Sequence, residues 1–489
     1  MKNLFKYLSA IALGLLFTSG IFAQTGQTAY YMNLPQRMDM NPSFIPGNRV
    51  YIELPVISGI NLSMGNNFFR LSDVLMKSPY NDSIITAFHP DADIENFLSK
   101  IRNANNIEAR TKLQLLGVGF AVGKNFFSID VNMNLNAYGV LPGDLVRLAV
   151  EGNEQFVGSS MNFSSLGTSA NMYREIGVGF SRPIMDNLRV GVKGKLLFGT
   201  ASVSTKVKSL EIDVSEDYIH TLNADMSLLS SGPVAVATNP ENGIDSIYVR
   251  DMEMESFSEV YNYFMRGGNV GLGLDLGAQY DLTDRIKLSA SITDIGYIKW
   301  KREASNINLK GEFTYDGFDI SDVISGSMSM DSVFGTMLDS LQASMNVTAT
   351  ESKFTTWLPT NINLGGSFDV TDFFTVGALS TTRVVGGRVK HALTLSGNVN
   401  YRNLVTTSLS YTMANRSYGN IGFGLGVRLG TGQLYLITDH IPMAFNQLTW
   451  TESESGEPRS VKIPSNWNMF NMRLGFNLVF GNRPPKVED

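Results

Sequence analysis

With 489 residues, 43% hydrophobic but only 17% charged, the chain falls below the roughly 25% charge of soluble domains and is no bundle of apolar helices. A net charge of −6 argues against a nucleic-acid partner. The absence of Cys excludes disulfides, thiolate metal sites and a lipid-bearing Cys behind a leader.

Residues 1–23 predict a secretory signal: Lys2 and Lys6, an apolar run from Leu8 to Phe17, then small residues to Ala23. That run is shorter than the ~20 residues of a spanning helix. Cleavage is expected before Gln24. Residues 24–48 carry Pro35, Pro42, Pro46 and Gly47, so irregular backbone is expected there. Val50 to Met64 is taken as one kinked upward strand, the alternative being two short strands split at Pro55 and Gly59.

Beyond this, apolar and polar residues alternate with period two, the mark of strands with one apolar face. Phe127, Ile129, Val131, Met133 and Leu135 alternate with Ser128, Asp130, Asn132, Asn134 and Asn136. The pattern recurs at Val270 to Tyr280, Leu393 to Tyr401, Val405 to Met413 and Phe470 to Phe480. Such strands match the ~9–11 residues of a tilted membrane strand. Short connections fall near Lys124-Asn125, Pro183 to Asn187, Thr283-Asp284, Thr371-Asp372, Arg402-Asn403 and Gly430 to Gly432. The longer ones are Asn66 to Arg110, Gly139 to Thr168, Thr205 to Arg266, Glu303 to Lys353 and His440 to Ser465, while two others at that end, near Gly386-Gly387 and Asn415 to Tyr418, are short. Short and long ends in alternation predict a closed antiparallel transmembrane barrel of about 14 strands, residues 49–481, with a periplasmic tail at 482–489.

Within the long connections, residues 91–103, 142–150 and 331–345 have apolar residues at helical spacing, predicting short helices in external loops. Glu211 to Glu259 is acidic and is expected as a solvated loop; its spacing matches no calcium-binding loop. Phe126, Phe127, Tyr280, Phe368, Phe373, Phe374, Tyr401 and Phe480, beside the short turns, predict one interfacial girdle.

Some segments resemble a known family. Tyr173 to Ser181, followed by Leu188 to Lys195, resembles a hairpin of FadL-like and PorV-like barrels. Met40-Asn41-Pro42-Ser43-Phe44 looks like the Asn-Pro-Ala segment those proteins carry after the signal, with Ser43 where Ala is usual. Asn471 to Gly481 is similar to a large Bacteroidota outer-membrane family of unknown function. The resemblance implies an outer-membrane barrel with residues 24–48 folded into the lumen as a hatch.

On this register Glu175, Lys193, Lys195, Asp275, Arg428 and Arg473 point inward, because a Lys or Arg facing lipid at mid-depth would cost ~2–4 kcal/mol. With Asn41 and Pro42 they are the expected lumen or ligand residues. Their commonest role is paired charge filling the barrel; gating or orienting a ligand head group is the sharper one. No catalytic residue, metal or cofactor is expected. The Asp439-His440 pair reads as a solvated loop start, and Ser-centred elbows and paired-His spacings are missing from the sequence. Gly271, Gly273, Gly422 and Gly424 suit small inward positions of strands.

Two functions follow as expectations. One, FadL-like, is passage or binding of small hydrophobic molecules in the outer membrane, with lipid around the barrel. The other, PorV-like, is a non-transporting scaffold for other outer-membrane proteins. An apolar pocket reaching an opening in the wall favours the first; a blocked lumen under an exposed apolar loop patch favours the second.

Overall fold

The computed structural model describes residues 27–482, except 79, 81–83, 87–88, 90, 233, 239–243, 250–255, 257–258, 260–261, 263–266, 316–339, 342, 415–416, 443–444, 452–457 and 465–467. The expected signal and the C-terminal tail beyond Asn482 lie outside the described residues.

Alternation every second residue places one set of side chains outside and the other inside, and a sheet that rolls shut loses its edges. The strands are β1 (Asn48–Glu53 and Ile60–Asn66), β2 (Ala104–Val122), β3 (Asn125–Pro142), β4 (Gly167–Met185) and β5 (Leu188–Val214). They continue with β6 (Asn269–Asp281), β7 (Ile286–Trp300), β8 (Phe354–Trp357 and Thr360–Asp369), β9 (Phe374–Val385) and β10 (Arg388–Tyr401). The last are β11 (Val405–Ala414), β12 (Ser417–Leu429), β13 (Gly432–Thr438) and β14 (Met469–Asn482). Each pairs antiparallel with the next, and β14 pairs with both pieces of β1, which closes a 14-strand barrel. Among the described residues no helix is long and apolar enough to cross a membrane.

The kink in β1 keeps its backbone bonded. Val56 N donates to Gln114 O at 2.9 Å and Phe476 N to Ile57 O at 2.8 Å, so neighbouring strands satisfy the bend. One strand interrupted at Pro55 is therefore the correct count. Outward positions such as Leu272, Leu274, Leu276, Ile129, Val178, Leu395 and Leu409 form an exposed apolar face. Tyr280, Phe368, Phe373, Tyr401 and Phe480 stand exposed near the short-turn end. Phe126 departs from the expected girdle: its side chain turns inward, fully buried, stacked on Tyr51. Phe127 is its neighbour, and alternation cannot send both outward.

The acidic stretch is also a correction. β5 runs on to Val214, and a strand His220–Ser231 returns along it and pairs with Ala304–Tyr315. Met161, Phe163, Leu210, Val214, Ala224 and Phe313 form a buried apolar cluster between these extensions, with Leu145 and Leu148 packed against it. Alternation continued through the acids, so this part is sheet rather than solvated loop; most of residues 239–266 lie outside the described residues. Helices occur at Ile94–Leu98 and Gly143–Glu151. The one expected at 331–345 lies largely outside the described residues.

Candidate functional site

Residues 27–47 bond to side chains and backbone on the inner wall, from the short turn at Asn403 to Asp439 beyond the far end of β13. Thr28 N donates to Asp439 Oδ1 at 2.8 Å and Asn33 Nδ2 to Asn403 Oδ1 at 2.6 Å. Gln36 Nε2 donates to Asn477 Oδ1 at 2.7 Å and to Glu53 Oε1 at 3.0 Å. Asn41 is fully buried; its Nδ2 reaches the carbonyls of Ala278 and Ala290 at 3.4 and 3.3 Å, and its Oδ1 accepts from Ser43 Oγ at 2.6 Å. Ser43 thus supplies a donor that Ala would lack. Glycine makes this approach possible: a Cβ at Gly277 would overlap the Asn41 side chain, and one at Gly191 the Pro42 carbonyl.

Above the segment lies a network of charges. Asp39 receives Lys112 at 2.9 Å and Arg473 at 2.6 Å. Lys193 pairs with Asp130 at 2.7 Å, and Lys195 with Asp275 at 2.8 Å and Asp294 at 2.6 Å. Glu175 sits 3.9 Å from Lys193 and 3.8 Å from Lys195. Burial would raise the Asp39 carboxyl, but Lys112, Arg473 and Lys193 outweigh that and hold it well below the usual carboxylate range.

A second group bridges opposite walls. Glu108 on β2 faces Arg383 on β9 at 3.2 Å and Lys390 on β10 at 2.7 Å, with Arg110 beside it at 3.2 Å. Lys390 also lies over the Tyr138 ring at 4.8 Å. These strands stand half a turn apart around the barrel, so the lumen is pinched between them. A central cavity of about 140 Å³ is floored by Asp39 and Met40 and walled by Asn, Thr and charged side chains. An outer cavity of about 440 Å³ opens toward the loop end, lined by Tyr138, Thr356, Trp357 and Val385 among others. The two share Asn136, Pro359 and Arg383. Above Thr360, β8 pairs with β7 alone, since β9 ends at Val385, one residue past the partner of Thr360. Trp357 is 75% exposed at that lip.

The structure thus brings together Glu175, Lys193, Lys195, Asp275 and Arg473, all buried. Arg428 stands apart, donating to Asn48 and Asn482 at 2.7 Å near the short-turn end. Sequence reasoning did not single out Asp39, Glu108, Lys112, Asp294, Arg383 or Lys390. Asp294 escapes simple alternation because a bulge opposite Asp275 gives it a φ of 62° and turns it inward beside Thr293. Asp439 and His440 are a correction: both are buried, not solvated. Asp439 accepts from Thr28 N and from Asn471 Nδ2 at 2.9 Å, and His440 Nδ1 lies 3.1 Å from Asn420 Oδ1. Burial pushes the His440 imidazole below its ordinary range. The pair is held as structural anchors. Among the described residues no three His, Asp or Glu converge as metal ligands do.

A family model described as "Family of unknown function (DUF5723)" matches residues 42–439. No curated protein sequence matches the chain. Among solved structures the chain is similar to the toluene transporter TbuX of Ralstonia pickettii, at TM-score 0.41 and 10% identity over 95% of this chain and 99% of that one. A FadL homologue of Pseudomonas aeruginosa has TM-score 0.41 and 10% identity over 94% and 99%. The Pseudomonas putida toluene transporter TodX has TM-score 0.37 and 10% identity over 95% and 97%.

Proposed function

The chain belongs to DUF5723, a family of unknown function, and from its own geometry we propose that it is an outer-membrane barrel that captures and passes small molecules, closed at rest by residues 27–47. The exposed apolar belt supports the membrane: backbone in hydrocarbon must be internally bonded, and a closed barrel with apolar side chains outside meets that demand. The observation that carries the transport reading is the pair of neighbouring cavities, which share Asn136, Pro359 and Arg383 as lining and of which the inner one ends on Asp39 and Met40 of the N-terminal segment. A solute path stopped by a short, separately bonded segment is a gate. The lip at Tyr138, Trp357 and Val385 supports the hydrophobic cargo implied by the resemblance; the polar wall behind it makes a second demand. Among the described residues, Met161, Phe163, Leu210, Val214 and Phe313 of the external extensions pack into a buried cluster of their own, which does not favour the scaffold alternative.

The absence of Cys allows a direct test. Thr28 Oγ1 and Ser410 Oγ are 2.8 Å apart, so the two side chains meet and cysteines placed there face each other. Thr28→Cys with Ser410→Cys should lock the segment. In planar bilayers the oxidised protein stays closed and the reduced protein shows openings. Equal conductance in both states contradicts the gate.

A further inference from the structure

On the side of β4 to β7, the apolar belt ends on a row of residues that holds two cations. Beside the short turns, Met185, Leu188, Tyr280 and Leu288 are neighbours across these strands. Val270 lies ten residues from Tyr280 along β6. It pairs with Phe198 and Lys299, Phe198 pairs with Arg174, and Lys299 pairs with Thr355. Tyr173 and Glu175 beside Arg174, and Ile298 and Trp300 beside Lys299, are buried inward, so alternation turns both cations outward. Between the two rows the outward face is apolar, with Val178, Val192, Leu196, Leu274, Leu276 and Ile292 exposed. Ten residues of strand are roughly 33 Å long and at a tilt of about 40° rise about 25 Å, the height of an outer-membrane apolar band. The upper row therefore stands at the loop-side interface.

Both cations lie on aromatic rings. The Arg174 guanidinium sits 5.0 Å over Phe198, and Lys299 Nζ sits 5.5 Å over Tyr297. Tyr297 in turn meets the exposed Trp357 edge-on, with ring centroids 5.8 Å apart. Tyr and Trp gather where hydrocarbon gives way to headgroups. A Lys or Arg is costly at the centre of the belt, but at its edge a long side chain keeps its charge among the headgroups. Arg174 and Lys299 are three strands apart, roughly 14 Å at ~4.8 Å per strand. Phe198 and Val270 lie between them, and the two long side chains cover that span from both sides.

Resting on the membrane placement proposed above, we propose that this row binds the anionic phosphate of a lipid headgroup in the loop-side leaflet. Arg174 and Lys299 hold the phosphate oxygens, the guanidinium as a fork and the ammonium as a point charge. Tyr297 and Trp357 pack against the ester region, and Leu272 and Leu274 below them meet the acyl chains. Cations set directly above an apolar wall fit a lipid, which brings charge and chain together, rather than a free anion.

The test is native mass spectrometry of the full chain released from detergent, titrated with dioleoylphosphatidic acid, dioleoylglycerol and inorganic phosphate. Phosphatidic acid is retained saturably; dioleoylglycerol, with the same chains and no phosphate, is retained more weakly or not at all. Arg174→Gln and Lys299→Gln each weaken phosphatidic acid by about 5-fold, the usual worth of one cation at a membrane surface. Lys206→Gln removes an exposed cation from the extension of β5 and leaves binding unchanged. Lys299→Gln serves alone if Arg174→Gln loses the heat-modifiable mobility of a folded barrel. Equal retention of dioleoylglycerol, displacement by inorganic phosphate, unchanged binding in both row variants, or an equal loss in Lys206→Gln overturns the proposal. Leu272→Lys tests the membrane reading separately. If it is destabilised in bilayers while the lipid titrations fail, the belt stands and this site falls; if it is neutral there, the membrane reading itself fails.

Discussion

Asp39 is where the N-terminal segment meets the wall charges, and its removal should be felt more than that of any sequence-predicted acid. Asp39→Asn leaves Lys112 and Arg473 without their counter-charge, an expected cost of about 2 kcal/mol or more, read as the denaturant midpoint of the folded barrel. Glu175→Ala should cost less, because its lysines keep Asp130, Asp275 and Asp294 at 2.6 to 2.8 Å. The sign of the pH dependence follows from Asp39, whose carboxyl is held low. A carboxylate depressed in the folded state stabilises above its unfolded value of about 3.9 and loses that contribution as pH falls through the lower folded value. His440, held low by burial, acts in the same direction from about pH 6.5 downward, since the unfolded chain takes up the proton first. The denaturant midpoint of the folded barrel should therefore be highest near neutrality and fall on acidification; a midpoint that rises in acid contradicts this balance.

At the scale of elements, the inward glycines do the positioning. Gly277→Leu would drive a side chain into Asn41, so the barrel should fold while the segment leaves its seat. Limited proteolysis after Arg37, beside a heat-modifiable band of normal mobility, reads both at once. Long alternating strands were legible because period two survives even where turns and loops differ. The Asn41-Pro42 segment was legible only through a resemblance, since irregular backbone has no period. Other features were hidden for physical reasons. A bulge reverses the parity at Asp294, acids masked the alternation from Val207 to Val214, and the Glu108–Lys390 bridge joins residues 282 positions apart. Pairs across a lumen leave no local trace in the sequence. Asp439 and His440 looked solvated because they follow a strand end, yet the N-terminal segment covers them.

The whole molecule depends on which face meets hydrocarbon. Leu272, exposed on the outward face of β6, should tolerate Ile and resist charge. Leu272→Lys is expected to cost ~2–4 kcal/mol in a bilayer-based unfolding measurement. A cost near zero would mean that water bathes that face.

The most direct measurement is a single-cysteine spin-label scan along Val270 to Tyr280 in reconstituted bilayers, which the Cys-free sequence permits. The account predicts strict alternation: oxygen reaches positions 270, 272, 274 and 276, while 271, 273, 275 and 277 are shielded from it. Uniform accessibility, or outward positions open to a water-soluble relaxant, contradicts a lipid-facing closed barrel.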